Sequence, residues 1–293
     1  MAHALLRAAS RLIGTLVFGR PAMIRLHAAL QQGAKLLEDA CIDAPRLTAE
    51  VLLSHAMHVD RAYFYAHPEQ ELREVEWIHY GRYLHERMRG KPMQYITHKQ
   101  EFYGRDFVVS PSVLIPRPET EHLIEAALPL VRGVVVDVGA GSGAIAVTLA
   151  LETNATLIAL DVSFDALQVT AENAHRLGAK ITPVQCDLLT TFGDASIDMV
   201  VSNPPYVAEN ARDSMQREVR DWEPALALFG GKDGLSIYQR LIPQAWRVLR
   251  PGGHLLLELG FDSLPAVQAM IPAPISIHKD LAGIPRVIVC QKA

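Results

Sequence analysis

Residues 133–151 read GVVVDVGAGSGAIAVTLAL, and the fold class follows from that run. Val134, Val135 and Val136 make a short apolar stretch suited to a parallel strand buried on both faces. Asp137 follows them, Gly139-Ala140-Gly141-Ser142-Gly143 form a turn, and a helix-like stretch opens at Ala144. Glycines suit a tight turn whose backbone must approach a ligand with no Cβ in the way. Strand, glycine turn and helix are the opening unit of a nucleotide-binding α/β sheet. A glycine turn with ordinary capping acids would look similar, so the neighbouring residues decide.

After the helix, residues 156–160 (TLIAL) predict a second strand ending at Asp161. That is ~20 residues past the glycines, where an acid grips ribose hydroxyls. Dinucleotide oxidoreductases share this much. The GAGSG loop, however, lacks the spacing of G-x-G-x-x-G, and Asp137 stands where it would repel a pyrophosphate. S-adenosylmethionine has no phosphate and carries a sulfonium and an ammonium, which acids attract. The pattern therefore favours S-adenosylmethionine as cofactor. A third strand, residues 181–185 (ITPVQ), leads to Cys186, Asp187 and Leu188. In this layout Asp187 hydrogen-bonds the adenine and Leu188 makes an apolar contact with it.

The fourth strand, residues 197–201 (IDMVV), runs into Ser202-Asn203-Pro204-Pro205-Tyr206. Asn203 offers a side-chain oxygen to a substrate NH2. Pro204 and Pro205, with fixed φ and no N–H, hold their carbonyls as rigid acceptors. Tyr206 supplies a flat wall for a planar amide or base. An amide nitrogen is a poor nucleophile because its lone pair is delocalised; acceptors on its hydrogens raise its electron density and aim it at the methyl group. In-line positioning does the rest, and no strong general base is needed, because the proton can leave after transfer. N-P-P-Y is elsewhere often a plain turn. Here it stands at the carboxyl end of a strand, where α/β sheets bind ligands.

Upstream, residues 24–90 carry helical periodicity. Leu26, Leu30 and Leu37 share a stripe with Ala29 and Ala34, and Pro45 marks a helix start. Leu47, Val51 and Leu52 continue at helical spacing, and Trp77, Tyr80, Leu84 and Met88 fall near one face, with Gly90 and Pro92 as stops. The basic group Arg82, Arg87, Arg89 and Lys91 suits a helix C-terminus and could also dock an acidic partner. The scattered histidines show no metal-ligand spacing. Residues 95–115 change to alternation around Gly104, which predicts a β-hairpin.

The 293 residues carry 28 basic against 32 acidic side chains, a formal charge of −4, with 49% hydrophobic residues. That excludes a disordered chain and gives no broad cationic footprint for nucleic acid. Cys41, Cys186 and Cys290 are too few and too scattered for a disulfide framework or a zinc site. No apolar run reaches the ~20 residues of a membrane span. A bacterial cytoplasm is the expected location. Residues 1–22 contain three arginines and no acid; we read them as a poorly ordered leader, with a mitochondrial transit peptide as the lesser alternative.

DVGAGSGAIA, NPPY and residues 115–121 (IPRPETE) together resemble the HemK/PrmC family of protein-(glutamine-N5) methyltransferases that modify peptide-chain release factors. The likeness extends to DAPRLTAEVLLSH, YITHKQEFYG, WEPAL at 222–226, GGKDGL at 230–235 and PGGHLLLE at 251–258. NPPY alone is shared with N6-adenine nucleic-acid methyltransferases; IPRPETE with a helical bundle is more particular. The resemblance implies that Gly139 to Gly143, Asp161, Asp187 and Leu188 bind S-adenosylmethionine, with Asp137, Asn203 and Arg117 also in the cofactor set and Glu119 beside them. Asn203, Pro204, Pro205 and Tyr206 would hold the glutamine of the Gly-Gly-Gln loop of class 1 release factors, with Asn203, Pro204 and Tyr206 catalytic. Some relatives carry an aromatic at the position of Leu188. The expected architecture is a leader (1–22), a helical recognition bundle (23–93), a hairpin junction (94–115) and a seven-stranded Rossmann-like methyltransferase domain (116–293). An N6-adenine DNA or RNA methyltransferase and an inactive cofactor-binding scaffold are the competing readings. The first needs a cationic surface, and the intact NPPY speaks against the second.

Overall fold

The computed structural model describes residues 24–293, so the reading of 1–22 as a leader lies outside the described residues. The chain divides after Thr97 into two compact units.

The first unit is helical: α1 (Leu26–Asp39), α2 (Pro45–Met57), α3 (Ala62–Ala66), α4 (Glu74–Met88) and α5 (Met93–Thr97). Leu26, Leu30, Leu37, Leu52, Leu53, Trp77, Tyr80 and Leu84 form its core. On α2 the inner stripe is Thr48, Ala49, Leu52, Leu53 and Ala56, so Leu47 faces solvent, against the sequence expectation. Inside this unit Glu50 is buried and held by Arg46 at 2.8 Å and Arg61 at 2.9 Å. The basic group near the end of α4 is partly spent internally. Arg87 is buried and donates to the Lys91 carbonyl, while Lys91 pairs with Glu86 at 2.7 Å.

Residues 93–97 are helical where the sequence reading begins a hairpin. The Pro92 carbonyl accepts from the Tyr95 and Ile96 N–H groups, and both side chains are buried. Pro92 therefore ends one helix and opens the next, a place proline tolerates because the first turn needs no N–H partner. The hairpin itself is narrower: β1 (Lys99–Phe102) pairs antiparallel with β2 (Arg105–Val108), turning at Tyr103 and Gly104. Phe102 and Phe107 meet edge-on at 6.0 Å and are buried.

The rest of the second unit is a 3-10 turn (Pro118–Thr120) and α6 (Glu121–Ala127), then an alternation of strands and helices. These are β3 (Val134–Val138), α7 (Ala144–Glu152), β4 (Thr156–Asp161), α8 (Phe164–Leu177), β5 (Ile181–Gln185) and β6 (Ile197–Ser202). Two short helices, α9 (Arg217–Trp222) and α10 (Ala225–Leu228), precede α11 (Ser236–Val248), β7 (Leu249–Glu258), α12 (Leu264–Met270), β8 (Ile275–Lys279) and β9 (Pro285–Gln291).

The described strands β3 to β9 form one seven-stranded sheet in the order β5-β4-β3-β6-β7-β9-β8. The first five in that order run parallel, and β9 runs antiparallel to both its neighbours. Val135, Val136, Leu157, Val200 and Leu256 are fully or almost fully buried, as strands covered on both faces require. After β3 the chain winds outward to β4 and β5, then returns to place β6 on the other side of β3. A crevice opens at that reversal, beyond the carboxyl ends of the strands. Register puts Asp137 opposite Val201 and Val138 opposite Leu160, so Gly139, Asp161 and Asn203 emerge at the same rim.

Candidate active site

At this rim the Gly139 and Ala140 N–H groups both donate to the Leu160 carbonyl at 2.8 Å, which folds the glycine turn back onto β4. Gly139, Gly141 and Gly143 all have left-handed φ, of 78°, 56° and 81°. An L side chain at any of them would be strained, which explains the glycine spacing. Asp161 latches the turn: its carboxylate accepts from the Gly141 N–H at 3.0 Å and from the Ser163 N–H at 2.9 Å.

A cleft of about 360 Å³ opens here, within the range of small-molecule sites. Its wall includes Gly139, Gly141, Asp161, Val162, Asp187, Leu188, Asn203, Pro205, Ile237 and Arg240. Leu188 sits at φ 54°, a strained conformation for a leucine. Among the described lining residues Arg240 is the sole lysine or arginine, and Asp187 takes it up at 2.6 Å. A wall of acids and apolar side chains with one neutralised arginine suits a cationic nucleoside and offers little to a pyrophosphate. The residues present thus fit S-adenosylmethionine.

A second pocket of about 160 Å³ adjoins the cleft, lined by Leu114, Arg117, Asn203, Pro204, Tyr206 and Val219 among others. Asn203 borders both spaces. Its Nδ2 donates to the Thr120 hydroxyl at 3.1 Å, which leaves Oδ1 as the atom available to accept from a guest. Tyr206 is largely buried, and that burial pushes its phenol up to about 12, so it stays neutral. Arg117 borders this second pocket rather than the cleft where the sequence reading puts it. The reason is Glu223, whose carboxylate takes the Arg117 guanidinium at 2.5 Å and the Ile115 N–H at 3.2 Å. Glu119 lies 3.8 Å from Arg286 and borders neither space.

Asp137, Ala140, Ser142 and Gly143 do not line the cleft among the described residues. Asp137 is fully buried and turned to the helix: its Oδ2 accepts from the Ala146 N–H at 3.0 Å, in the first turn of α7. Burial pushes its carboxyl up to about 7, with the negative charge of Asp161 adding to the effect. It braces the start of a helix instead of presenting a charge to the cleft. The Ser142 carbonyl is taken by Asn173 at 2.9 Å, and Gly143 precedes α7 directly.

Sequence reasoning passed over several residues here. Glu258, Thr120 and Glu223 are buried polar groups around Asn203 and Arg117. A lone acid closing the apolar run HLLLE was the available signal for Glu258. Three glycines also press on the NPPY loop. A Cβ at Gly230 would stand 2.6 Å from the Gly234 carbonyl oxygen and nearer still to that of Pro205. One at Gly234 would overlap the Tyr206 carbonyl, and one at Gly260 would lie 2.8 Å from the Tyr206 ring.

Comparison with known proteins bears on the whole chain. Residues 28–97 match the family model for the PrmC N-terminal domain, and residues 118–221 match the methyltransferase small domain. A release factor glutamine methyltransferase of Koribacter versatilis is 48% identical over 275 residues, covering 91% of this chain and 98% of the relative. This chain belongs to the release factor glutamine methyltransferase family. Another family member, from Bacillus subtilis, is 39% identical over 256 residues, covering 82% of this chain and 89% of that protein. Solved structures show the fold at greater distance. A methyltransferase from Pyrococcus furiosus aligns with a TM-score of 0.50 at 19% identity, over 66% of this chain and 91% of that one. The Thermus thermophilus 16S rRNA N2 G1207 methyltransferase, solved with AdoMet and guanosine, aligns with a TM-score of 0.50 at 20% identity, over 67% of this chain and 50% of its own. Family membership, with the helical domain matched as well, weighs against the adenine-methyltransferase reading. Among the described residues no helix is long and apolar enough to cross a membrane.

Proposed function

We propose that this chain transfers a methyl group from S-adenosylmethionine to the side-chain nitrogen of the glutamine in the Gly-Gly-Gln loop of class 1 peptide-chain release factors. The observation that carries the reading is Asn203, which stands between a cleft suited to the cofactor and a smaller pocket sized for an amide side chain. When bound, S-adenosylmethionine supplies a methyl group on a cationic sulfonium.

The chain's own residues account for selection and orientation. Asp161 and Asp187 offer acceptors to hydroxyl and amino groups, Leu188 and Ile237 an apolar face, and Gly139 and Gly141 a bare backbone approach. On the other side, Asn203 Oδ1 and the Pro204 carbonyl are acceptors for the two hydrogens of the acceptor amide. Binding both hydrogens turns the nitrogen's electron density toward the cleft, and Tyr206 keeps the amide flat. Burial around Tyr206 and Pro204 excludes water, which strengthens those hydrogen bonds. The catalytic set is Asn203, Pro204 and Tyr206. The helical unit serves to recognise the release factor.

The test is transfer of label from methyl-labelled S-adenosylmethionine to a class 1 release factor, located by peptide mass spectrometry. Label on the Gly-Gly-Gln glutamine, lost when that glutamine is replaced, supports the reading. Label that persists on the replaced factor, or that goes to adenine in DNA or RNA instead, overturns it. Asn203→Ala should keep cofactor binding while turnover falls by roughly 10²- to 10³-fold, the usual effect of removing one preorganised polar group.

A further inference from the structure

Among the described residues that line the smaller pocket beside Asn203, Arg117 is the one charged side chain. Much of the remaining wall is apolar, with Leu114, Val207, Met215, Val219 and Leu228 facing Asn203, Pro204 and Tyr206. The catalytic account so far gives Arg117 no task. Its backbone is stiff, because it stands between Pro116 and Pro118, and a residue before proline is confined to extended conformations. Its φ of −101° and ψ of 145° comply. Its side chain is held as well. Glu223 lies between α9 and α10 with its side chain 1% exposed, and its two carboxylate oxygens do separate work. Oε1 accepts from Arg117 Nη2, and Oε2 accepts from the Ile115 N–H at 3.2 Å. One buried carboxylate therefore fixes both the guanidinium and the stretch of backbone that carries it.

Donor and acceptor counting shows what Arg117 can do there. A carboxamide has two N–H hydrogens and one carbonyl oxygen. Asn203 Oδ1 and the Pro204 carbonyl take the hydrogens, which leaves the guest's oxygen in need of a donor. Buried without one, it would weaken binding as any unsatisfied polar group does. A guanidinium has five N–H hydrogens and no acceptor, and Glu223 takes a hydrogen of Nη2. The Arg117 side chain is 32% exposed, so it is not sealed behind the wall. At about 160 Å³ the pocket is small enough for one carboxamide to meet Asn203 and Arg117 together.

Charge decides which guest fits. A bare guanidinium in an apolar, water-poor pocket would draw in a carboxylate far more strongly than an amide, through a charged pair. Glu223 already supplies that negative charge, so the pair is neutral. A guest carboxylate would add a second negative charge close to Glu223 in a low-dielectric wall, where like charges repel. A neutral carbonyl oxygen meets no such penalty.

We infer that Arg117 binds the carbonyl oxygen of the acceptor carboxamide, and that Glu223 cancels its charge so that the pocket selects an amide over the corresponding carboxylate. This rests on the reading of the smaller pocket as the glutamine site. Arg117 completes a three-point hold on the amide and fixes its rotation in its own plane. Glu223 does not line the pocket and acts through Arg117, as a positioning residue. The cancelled charge also serves the reaction, because a neutralised guanidinium draws less electron density through the carbonyl than a bare cation would and leaves more on the nitrogen.

The experiment uses a class 1 release factor and its variant with glutamate in place of the Gly-Gly-Gln glutamine. Calorimetry with S-adenosylhomocysteine present, so that no turnover occurs, gives Kd for both factors with wild type, Glu223→Gln and the double variant Arg117→Met/Glu223→Gln. Arg117→Met alone would strand a buried carboxylate, which is why it is paired with Glu223→Gln. Wild type should hold the glutamine factor about 10-fold or more tighter than the glutamate factor. Glu223→Gln bares the guanidinium and should shift that preference toward glutamate by about 10-fold or more. The double variant should lose this shift and bind the glutamine factor about 10-fold more weakly than wild type. Its Kd for S-adenosylmethionine should stay within about threefold of wild type, because Arg117 does not line the cleft. A Glu223 that only braces the fold would not move the preference between the two factors. An unshifted preference in Glu223→Gln, or a double variant that loses cofactor affinity in place of factor affinity, overturns the inference. A wild-type chain that leaves the release-factor glutamine unmodified when given S-adenosylmethionine overturns the proposed function and this inference together, whereas normal methylation with an unshifted preference overturns the inference alone.

Discussion

Gly230 offers a sharp test of whether the NPPY loop works by rigid placement. Its φ is not in the left-handed region, so alanine there brings no backbone strain, and the steric effect stands alone. A Cβ would lie 2.6 Å from the Gly234 carbonyl oxygen and closer to that of Pro205, both main-chain atoms that no rotamer change can move aside. Restoring even a tight contact of about 3 Å needs a displacement of roughly half an ångström or more, and the Pro205 side of the gap leads directly to Asn203 and Tyr206. Overpacking of this kind costs about 1–3 kcal/mol of stability. Displacement approaching 1 Å at a positioning group costs about 10²-fold in rate. We therefore expect Gly230→Ala to lower kcat on a release factor by about 100-fold. Its Kd for S-adenosylmethionine should stay within about threefold of wild type, because Gly230 is not part of the cleft wall. Gly178→Ala is the control. It has left-handed φ of 75° and nothing within 4 Å of its Cβ, so it should lose stability without losing turnover. A folded Gly230→Ala protein that binds cofactor and turns over within about threefold of wild type would refute the reasoning.

Asp137 should make stability fall with rising pH. Its carboxyl is pushed up from 3.8 to about 7 by burial, so the folded chain keeps a proton there that the unfolded chain releases. That penalty grows from about pH 4 to pH 7 and reaches about 4 kcal/mol above it. The stability of Asp137→Asn relative to wild type should rise by a similar amount between pH 4 and pH 8 in cofactor-free urea unfolding; a difference that stays flat with pH contradicts the buried-acid account. Replacing Asp161 by Ala frees the Gly141 and Ser163 N–H groups and should weaken cofactor binding by about 10-fold or more, measured by calorimetry. Glu223→Ala strands the buried Ile115 N–H and releases Arg117, which should cost about 1–3 kcal/mol and raise KM for the release factor, with cofactor affinity unchanged.

Local chemistry made part of this protein readable in one dimension. Valine runs buried on both faces, glycines at positions needing left-handed φ, and prolines that lock carbonyls impose their geometry within a few residues. For that reason the strand–turn–helix at 134–152, the strand ending at Asp161, and the NPPY loop after β6 could be identified without coordinates. Period also distinguished the helical unit from the sheet. It could not say which side of α2 faces inward, because both Leu47 and Leu52 fit a helical stripe; packing against the neighbouring helices chose Leu52.

Meetings between residues far apart in the chain belong to the tertiary structure. Asn203 donates to Thr120, eighty-three positions earlier in the chain, and Arg117 is held by Glu223, more than a hundred positions away. Asp137 looked like a cleft acid because it precedes the glycine turn, but a strand alternates its side chains, and register turned this one toward α7. Gly230 and Gly234 are ordinary loop glycines until the bridge between Val207 and Phe229 sets them against the NPPY loop, and Gly260 until β7 pairs beside β6 and its end meets the Tyr206 ring. Spacing along a chain encodes backbone conformation, whereas the direction of a buried side chain and the company it keeps depend on what long-range packing sets beside it.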